Sequence, residues 1–166
     1  MVERARASPT TGFQLRSVLE GDLPIFFEHQ RDPEANQMAG FPARDRDAFM
    51  AHWAKILSDD TVTAMSIVLD GNVAGNIVSW EHDGKRLIGY WLGKENWGKG
   101  VATTALTEYL RLVTTRPLFA EVAKHNVASI RVLEKCGFKM CIEGAAPDGA
   151  PGNSVGELVL KLSAVS

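Results

Sequence analysis

Two glycines bracketing a lysine, in Trp97-Gly98-Lys99-Gly100-Val101-Ala102, are the residues of this sequence best suited to chemistry. They follow an apolar run, Leu87 to Leu92, that reads as a buried strand, and a short polar break, Gly93 to Asn96. They precede Thr103 to Val113, where Ala105, Leu106, Tyr109, Leu110 and Val113 recur at helical spacing. A strand, a glycine turn and a helix in that order make an anion site. The first N–H groups of a helix have no partner within it, and the macrodipole places about half an elementary charge there. Glycine lets the backbone approach a ligand closely and adopt positive φ. The expected ligand is therefore a phosphate or diphosphate cradled by backbone N–H groups. The remaining reactive side chains carry weaker signals. His29, His52, His82 and His125 are scattered without metal spacing and read as structural or solvated. Cys136 and Cys141 form no CxxC pair and read as buried free thiols of an intracellular protein. No metal site is expected.

The elements that would position this turn can be read along the chain. Residues 1–11 are polar and read as a flexible N-terminal segment, and residues 12–166 as one domain. Gly12 to Arg16 reads as a first strand. A helix carrying Ile25, Phe26 and Phe27 starts near Asp22, as its cap, and is interrupted at Asp32-Pro33. Asn36 to Pro42 reads as a loop able to line a pocket, and Arg44 to Leu57 as a second helix with Phe49, Met50, Trp53, Ile56 and Leu57 on its apolar face. Thr63–Leu69 and Val73–Glu81 read as strands joined at Asp70-Gly71-Asn72, and Asp83-Gly84 turns into the strand at Leu87. After the glycine turn and its helix come a strand over Leu118–Ala123 and a helix over Asn126–Lys135 that ends at Gly137. Two last strands, Phe138–Glu143 and Val155–Leu162, flank Gly144 to Asn153, which reads as a mobile loop. This order is α+β, a mixed sheet with helices on its faces.

Composition narrows the partners. The net charge of −2 gives no global support to nucleic-acid or anionic-membrane binding, so the anion should be a small ligand held locally. No apolar run reaches the roughly 18 residues of a transmembrane helix. The first ten residues lack an apolar signal core, so a cytoplasmic location is expected.

Leu87 to Phe138 resembles the GNAT superfamily of N-acetyltransferases. Trp97 to Ala102 resembles that superfamily's acetyl-coenzyme-A loop, and Asn126-Val127-Ala128-Ser129 with Val132 to Phe138 resembles its second signature. The likeness is greatest to the ribosomal-protein-alanine (Rim-type) branch, in which Trp commonly opens the first motif and Ser follows Asn by three. Leu15-Arg16, Asp32-Pro33-Glu34 and Gly40-Phe41-Pro42 also resemble that branch.

The resemblance implies a GNAT-like, mostly antiparallel central sheet of about seven strands flanked by about four helices. It implies transfer of the acetyl group of acetyl-CoA to a primary amine, of a small molecule or a protein N-terminus, by direct attack in a ternary complex of a monomer or homodimer. The coenzyme residues would be Trp97, Gly98, Lys99, Gly100, Val101, Ala102 and Thr103 around the diphosphate. Backbone groups of Tyr90, Trp91 and Leu92 would meet the pantetheine arm, where the strand splays from its neighbour, and Asn126 and Ser129 would lie beside it. Many members carry a tyrosine acid where this chain has Leu133, so Ser129 is the expected donor to the leaving thiolate. Glu157, at the start of the last strand, is the candidate general base, with Glu121 the runner-up and an ordered water chain with no protein base equally open. Trp53 and Trp91 read as core or groove wall.

Other readings remain open on sequence. Gly98-x-Gly100-x-x-Thr103 is a degraded dinucleotide fingerprint with Glu121 at a plausible ribose distance, but the turn follows an antiparallel meander. No Gly-Lys-Ser/Thr occurs, which excludes a P-loop. A non-catalytic acyl-CoA sensor or interaction module would share the coenzyme motifs. Acceptor choice should rest on Met38–Pro42, the second helix and Gly144–Asn153.

Overall fold

A computed structural model of the chain describes residues 12–40, 43–141 and 157–164. The expected N-terminal segment, Phe41-Pro42 and the expected Gly144–Asn153 loop lie outside the described residues. The strands are β1 Phe13–Ser17, β2 Thr63–Leu69, β3 Asn72–His82, β4 Lys85–Leu92, β5 Leu118–Ala123, β6 Lys139–Met140 and β7 Glu157–Leu162. The helices are α1 Leu23–Gln30, α2 Pro33–Ala39, α3 Arg46–Ser58, α4 Val101–Leu112 and α5 Val127–Lys135. They build one seven-stranded sheet in the order β1-β2-β3-β4-β5-β7-β6. Every neighbouring pair is antiparallel except β4 and β5. The mixed, mostly antiparallel α+β architecture expected from sequence is the one observed.

Local chemistry sets the elements. Asp70-Gly71 and Asp83-Gly84 take positive φ at both residues, which is what a two-residue hairpin with the twist of its strands requires. Asp45 accepts the Ala48 N–H at 2.8 Å and starts α3. Asp32-Pro33 does not simply end a helix. Asp32 accepts the Glu34 N–H at 2.8 Å, and Pro33 takes the first turn, where no N–H is needed, so Asn36 to Ala39 lie in α2 rather than in a loop. That makes five helices among the described residues, one more than expected. Asp22 also differs from its expected role. It is a buried hub whose carboxylate meets both Arg16 guanidinium nitrogens, the Leu19 N–H and the Ser66 hydroxyl at 2.6–3.0 Å.

Two apolar clusters lie on opposite faces of the sheet. Consecutive residues of a strand point to opposite faces, and on β3 Ile77 joins one cluster while Val78 joins the other. The Ile77 face is covered by α4 and α5 through Val101, Leu106, Tyr109 and Leu133, all buried. Tyr109 is fully buried, and its hydroxyl donates to the Thr63 carbonyl at 2.7 Å, which satisfies the polar end of a core side chain. The Val78 face is covered by α1 and α3 through Phe26, Phe27, Phe49 and Trp53. Phe26 and Trp53 stack obliquely with ring centroids 5.0 Å apart. Cys136 and Cys141, expected to be buried thiols, are free but only half-buried.

The β4–α4–β5 crossover is a parallel unit, so the glycine turn does open a βαβ segment, contrary to the sequence reading. It is a single parallel pair within an otherwise antiparallel sheet, not the parallel sheet of a dinucleotide fold.

Candidate functional site

β4 and β5 are in register only at Arg86–Leu118 and Leu87–Phe119. Beyond Leu87 the two strands part while β4 stays paired with β3 as far as Leu92. The Gly93 N–H donates to the Ala74 carbonyl at 2.9 Å and fixes the alternation of backbone directions. By that alternation Trp91 directs its N–H and C=O toward β3, whereas Tyr90 and Leu92 direct theirs toward the gap left by β5. The Leu92 carbonyl is already used, because Trp97 Nε1 donates to it at 3.2 Å. That bond ties the start of the glycine turn to the end of β4.

The turn itself is open. Gly98 and Gly100 have φ of 75° and 78°, and a Cβ built on either would meet nothing within 4 Å. A side chain there would be strained, and it would occupy space the protein leaves empty. Gly100 is the N-cap of α4 and supplies no side chain to cap it. The first bond of the helix ladder runs from the Thr104 N–H to the Gly100 carbonyl at 3.1 Å, so the N–H groups of Val101, Ala102 and Thr103 precede the ladder. The helix thus starts at Val101, two residues before the periodicity suggested, and three expected coenzyme residues form its first turn. Lys99 is exposed beside them.

A cavity of about 770 Å³ passes through the gap between β4 and β5. On the α4/α5 side it is lined by Ile88, Tyr90, Asn126, Ser129 and Leu133. On the α1/α3 side it is lined by Phe26, Trp53, Asn76, Trp80 and Trp91. Glu121 and Glu157 also border it. The cavity therefore brings together Tyr90 and Trp91 from β4, Glu121, Asn126 and Ser129 from the β5–α5 stretch, and Glu157 from β7. The 97–103 turn is not among its lining residues; Gly98, Lys99 and Gly100 of that turn are exposed.

Asn126 caps α5, accepting the Ser129 N–H with its Oδ1 at 3.2 Å. Its Nδ2 has no partner among the described residues, so the cap leaves a donor free at the cavity wall. Ser129 Oγ lies 2.7 Å from the Tyr90 hydroxyl. Burial pushes the Tyr90 phenol up to about 12, against the lowering effect of that hydrogen bond. Leu133 is buried and has no polar atom to offer. Glu157 opens β7 opposite Ala123. Burial, and then the neighbouring charge of Glu121, raise its carboxyl above the usual range. Among the described residues no group of three or more His, Cys, Asp or Glu could hold a metal ion. No helix among them is long and apolar enough to cross a membrane.

Sequence reading missed two contacts. One is the Tyr90 side chain on Ser129, which no local pattern signals. The other is the Trp97 indole on Leu92, five residues apart, where the only hint was a large aromatic opening the motif. His125 is exposed, and its Nε2 lies 2.7 Å from the Gln37 carbonyl, which ties the turn before α5 to α2.

A family profile described as an acetyltransferase (GNAT) domain matches residues 13–139. No curated protein matches the sequence. Solved structures with a similar fold include an acetyltransferase from Agrobacterium tumefaciens, at TM-score 0.73 and 20% identity over 90% of this chain and 89% of that one. The aminoglycoside acetyltransferase AAC(6')-Ib in complex with coenzyme A is similar at TM-score 0.71 and 21% identity, over 91% of this chain and 94% of that one. Spermidine N-acetyltransferase from Vibrio cholerae, in complex with CoA and spermine, is similar at TM-score 0.72 and 18% identity, over 90% of this chain and 93% of that one.

Proposed function

The chain belongs to the GNAT acetyltransferase family, and from that premise we propose that it moves the acetyl group of acetyl-CoA to a primary amine by direct attack in a ternary complex. The observation that carries this reading is the parting of β4 from β5 beside an uncapped glycine turn. The residues present fit the coenzyme. A diphosphate would meet the N–H groups at Gly98 to Thr103, at the positive end of α4. The pantetheine arm would run in the gap along the edge of Tyr90 and Leu92, with Trp91 as wall and the free Nδ2 of Asn126 as donor. Acetyl-CoA would supply the activated thioester, and the chain's residues would align it and handle protons.

The acceptor would enter from the α1/α3 side, past Trp80 and Trp91. An amine attacks only when neutral, so a proton must leave it. Glu157 suits that role, because burial and the neighbouring Glu121 raise its carboxyl and make it a better base than an ordinary one. Ser129 would donate a hydrogen bond to the departing sulfur. Trp97 at the head of the turn and Ser129 three residues after Asn126 support the ribosomal-protein-alanine branch. A cytoplasmic enzyme of one domain, as monomer or homodimer without nucleic-acid or membrane partners, is consistent with the net charge of −2.

The acceptor class is tested by thiol release from acetyl-CoA with a panel of amines. Aminoglycosides and polyamines belong in it because structural neighbours bind them, and peptides with a free N-terminus because of the Rim-type likeness. Amine-dependent release by at least one class is expected. Coenzyme binding with no amine-dependent release would favour the non-catalytic sensor.

A further inference from the structure

Tyr90 on β4 and Ser129 on α5 are 39 residues apart in sequence, yet their hydroxyl oxygens are 2.7 Å apart at the cavity wall. Each hydroxyl has one hydrogen to donate and lone pairs to accept with. When Ser129 donates to Tyr90, its hydrogen is unavailable to a ligand. When Tyr90 donates to Ser129, the Ser129 hydrogen is free to turn into the cavity. A hydroxyl that already accepts a hydrogen bond is also the stronger donor. Leu133, one helical turn on from Ser129, lines the same wall and offers no alternative donor.

We propose that Tyr90 is a positioning residue for the leaving thiolate: its phenol turns to donate to Ser129 as charge develops on the coenzyme sulfur, which directs and polarises the Ser129 hydrogen toward that sulfur. This rests on the coenzyme reading above and goes beyond it in assigning the Tyr90 side chain a role. In the step, the carbon–sulfur bond breaks with its electron pair left on sulfur, and the carbon–nitrogen bond forms. The amine proton goes to Glu157 or to water. Neither hydroxyl surrenders its proton. A phenol pushed up to about 12 is a far weaker acid than a thiol, which titrates near 8.5, so transfer to sulfur would run uphill. The thiolate takes its proton from solvent afterwards. The Ser129 hydrogen bond is stronger to a thiolate than to a thioester, and the Tyr90 bond to Ser129 strengthens with it, so their effect falls on kcat and not on coenzyme binding.

Free coenzyme A provides a test that needs neither acetyl group nor acceptor. The thiol of CoA bound to the full chain is titrated by the ultraviolet absorbance of its thiolate in wild type, Tyr90→Phe, Ser129→Ala and the double variant. The bound thiol should titrate about one unit lower in wild type than in either single variant, and the double variant should match Ser129→Ala. In turnover, Tyr90→Phe should lower kcat about 3- to 30-fold with KM for acetyl-CoA unchanged, and should cost nothing more in the Ser129→Ala background. The same thiol titration in wild type and Tyr90→Phe overturns the proposal while leaving the coenzyme reading intact. So does an equal kcat cost of Tyr90→Phe with and without Ser129. Failure of wild type to bind CoA would sink the coenzyme reading and this proposal together.

Discussion

At Asp22 a carboxylate meets Arg16, the Leu19 N–H and Ser66, whereas at the 97–102 turn the N–H groups that open α4 precede the helix ladder with no side-chain cap. The Asp22 hub ties distant parts of the chain together, whereas the turn is tied locally, through Trp97 to Leu92. They differ in whether their hydrogen-bonding capacity is used within the protein. The Asp22 hub joins β1 to β2, and Ser66 is fully buried within it. Burial alone would raise the Asp22 carboxyl, but the bonds from Arg16, Leu19 and Ser66 outweigh it and hold the group at about 2. Such a cluster stabilises one conformation and has nothing to offer a ligand. In the gap the balance is reversed. Glu157 is pushed up because burial and Glu121 both oppose its charge, and the Asn126 Nδ2 and the first N–H groups of α4 have no side-chain acceptor among the described residues. Groups left in that state are destabilising or neutral for the fold and useful to a substrate.

This contrast predicts opposite signatures for two carboxylate substitutions. Glu157→Gln should lower kcat/KM about 10²- to 10⁴-fold if Glu157 takes the amine proton, and should remove the acid limb of the pH profile. Because its folded carboxyl is raised, ionised Glu157 opposes folding, so the variant should melt at the same temperature as wild type or slightly higher. Thermal unfolding and a kcat/KM profile with one acceptor of known amine pKa check both halves. A wild-type profile in Glu157→Gln would pass the role to Glu121 or to solvent.

Asp22→Ala should do the reverse. It leaves the fully buried Ser66 hydroxyl and the partly exposed Arg16 guanidinium without their carboxylate and should cost about 1–3 kcal/mol of stability, read by denaturant unfolding. The folded fraction should keep wild-type coenzyme affinity. The stabilisation is pH-dependent with a defined sign. Asp22 is lowered in the fold, so its contribution is complete above its unfolded value of about 3.9 and is lost as pH falls toward about 2. Wild type and variant should therefore converge in stability over that window.

The smallest effect sharpens the electrostatics of the gap. Glu121→Gln removes the like charge that helps hold Glu157 up, so the acid limb of kcat/KM should move to lower pH, with burial still holding it above an ordinary carboxylate. A limb that stays in place would mean that burial alone sets it.

The glycine turn was legible in the sequence because its chemistry is local. Gly98, Lys99 and Gly100 between an apolar strand and a helical period leave few other readings. The hairpins at Asp70 and Asp83 were legible for the same reason. α2 was not, because Asp32-Pro33 signals both the end of one helix and the start of the next, and only the Asp32 cap distinguishes them. The Asp22 hub and the Tyr90–Ser129 pair were not legible either. Asp22 meets Ser66 across 44 residues, and Tyr90 meets Ser129 across 39, so neither contact leaves a periodic trace. The family resemblance pointed to Ser129 and Glu157 as single residues. The surroundings that tune them became apparent only once β4 and β5 were seen to part.

The central claim is that the open turn holds the diphosphate of the coenzyme, and calorimetric comparison of CoA with pantetheine tests it most directly. Pantetheine keeps the arm and the thiol but lacks the diphosphate and the phosphoadenosine beyond it, so the Gly100→Val comparison isolates the share held by the turn. Charge-assisted hydrogen bonds contribute about 1.5–3 kcal/mol each, so CoA should bind wild type at least about a hundredfold more tightly. In Gly100→Val, strain at a φ of 78° and a side chain in the open space should remove most of that difference while pantetheine binding is kept. Equal affinity of wild type for CoA and pantetheine, or an undiminished difference in a folded Gly100→Val protein, would contradict it.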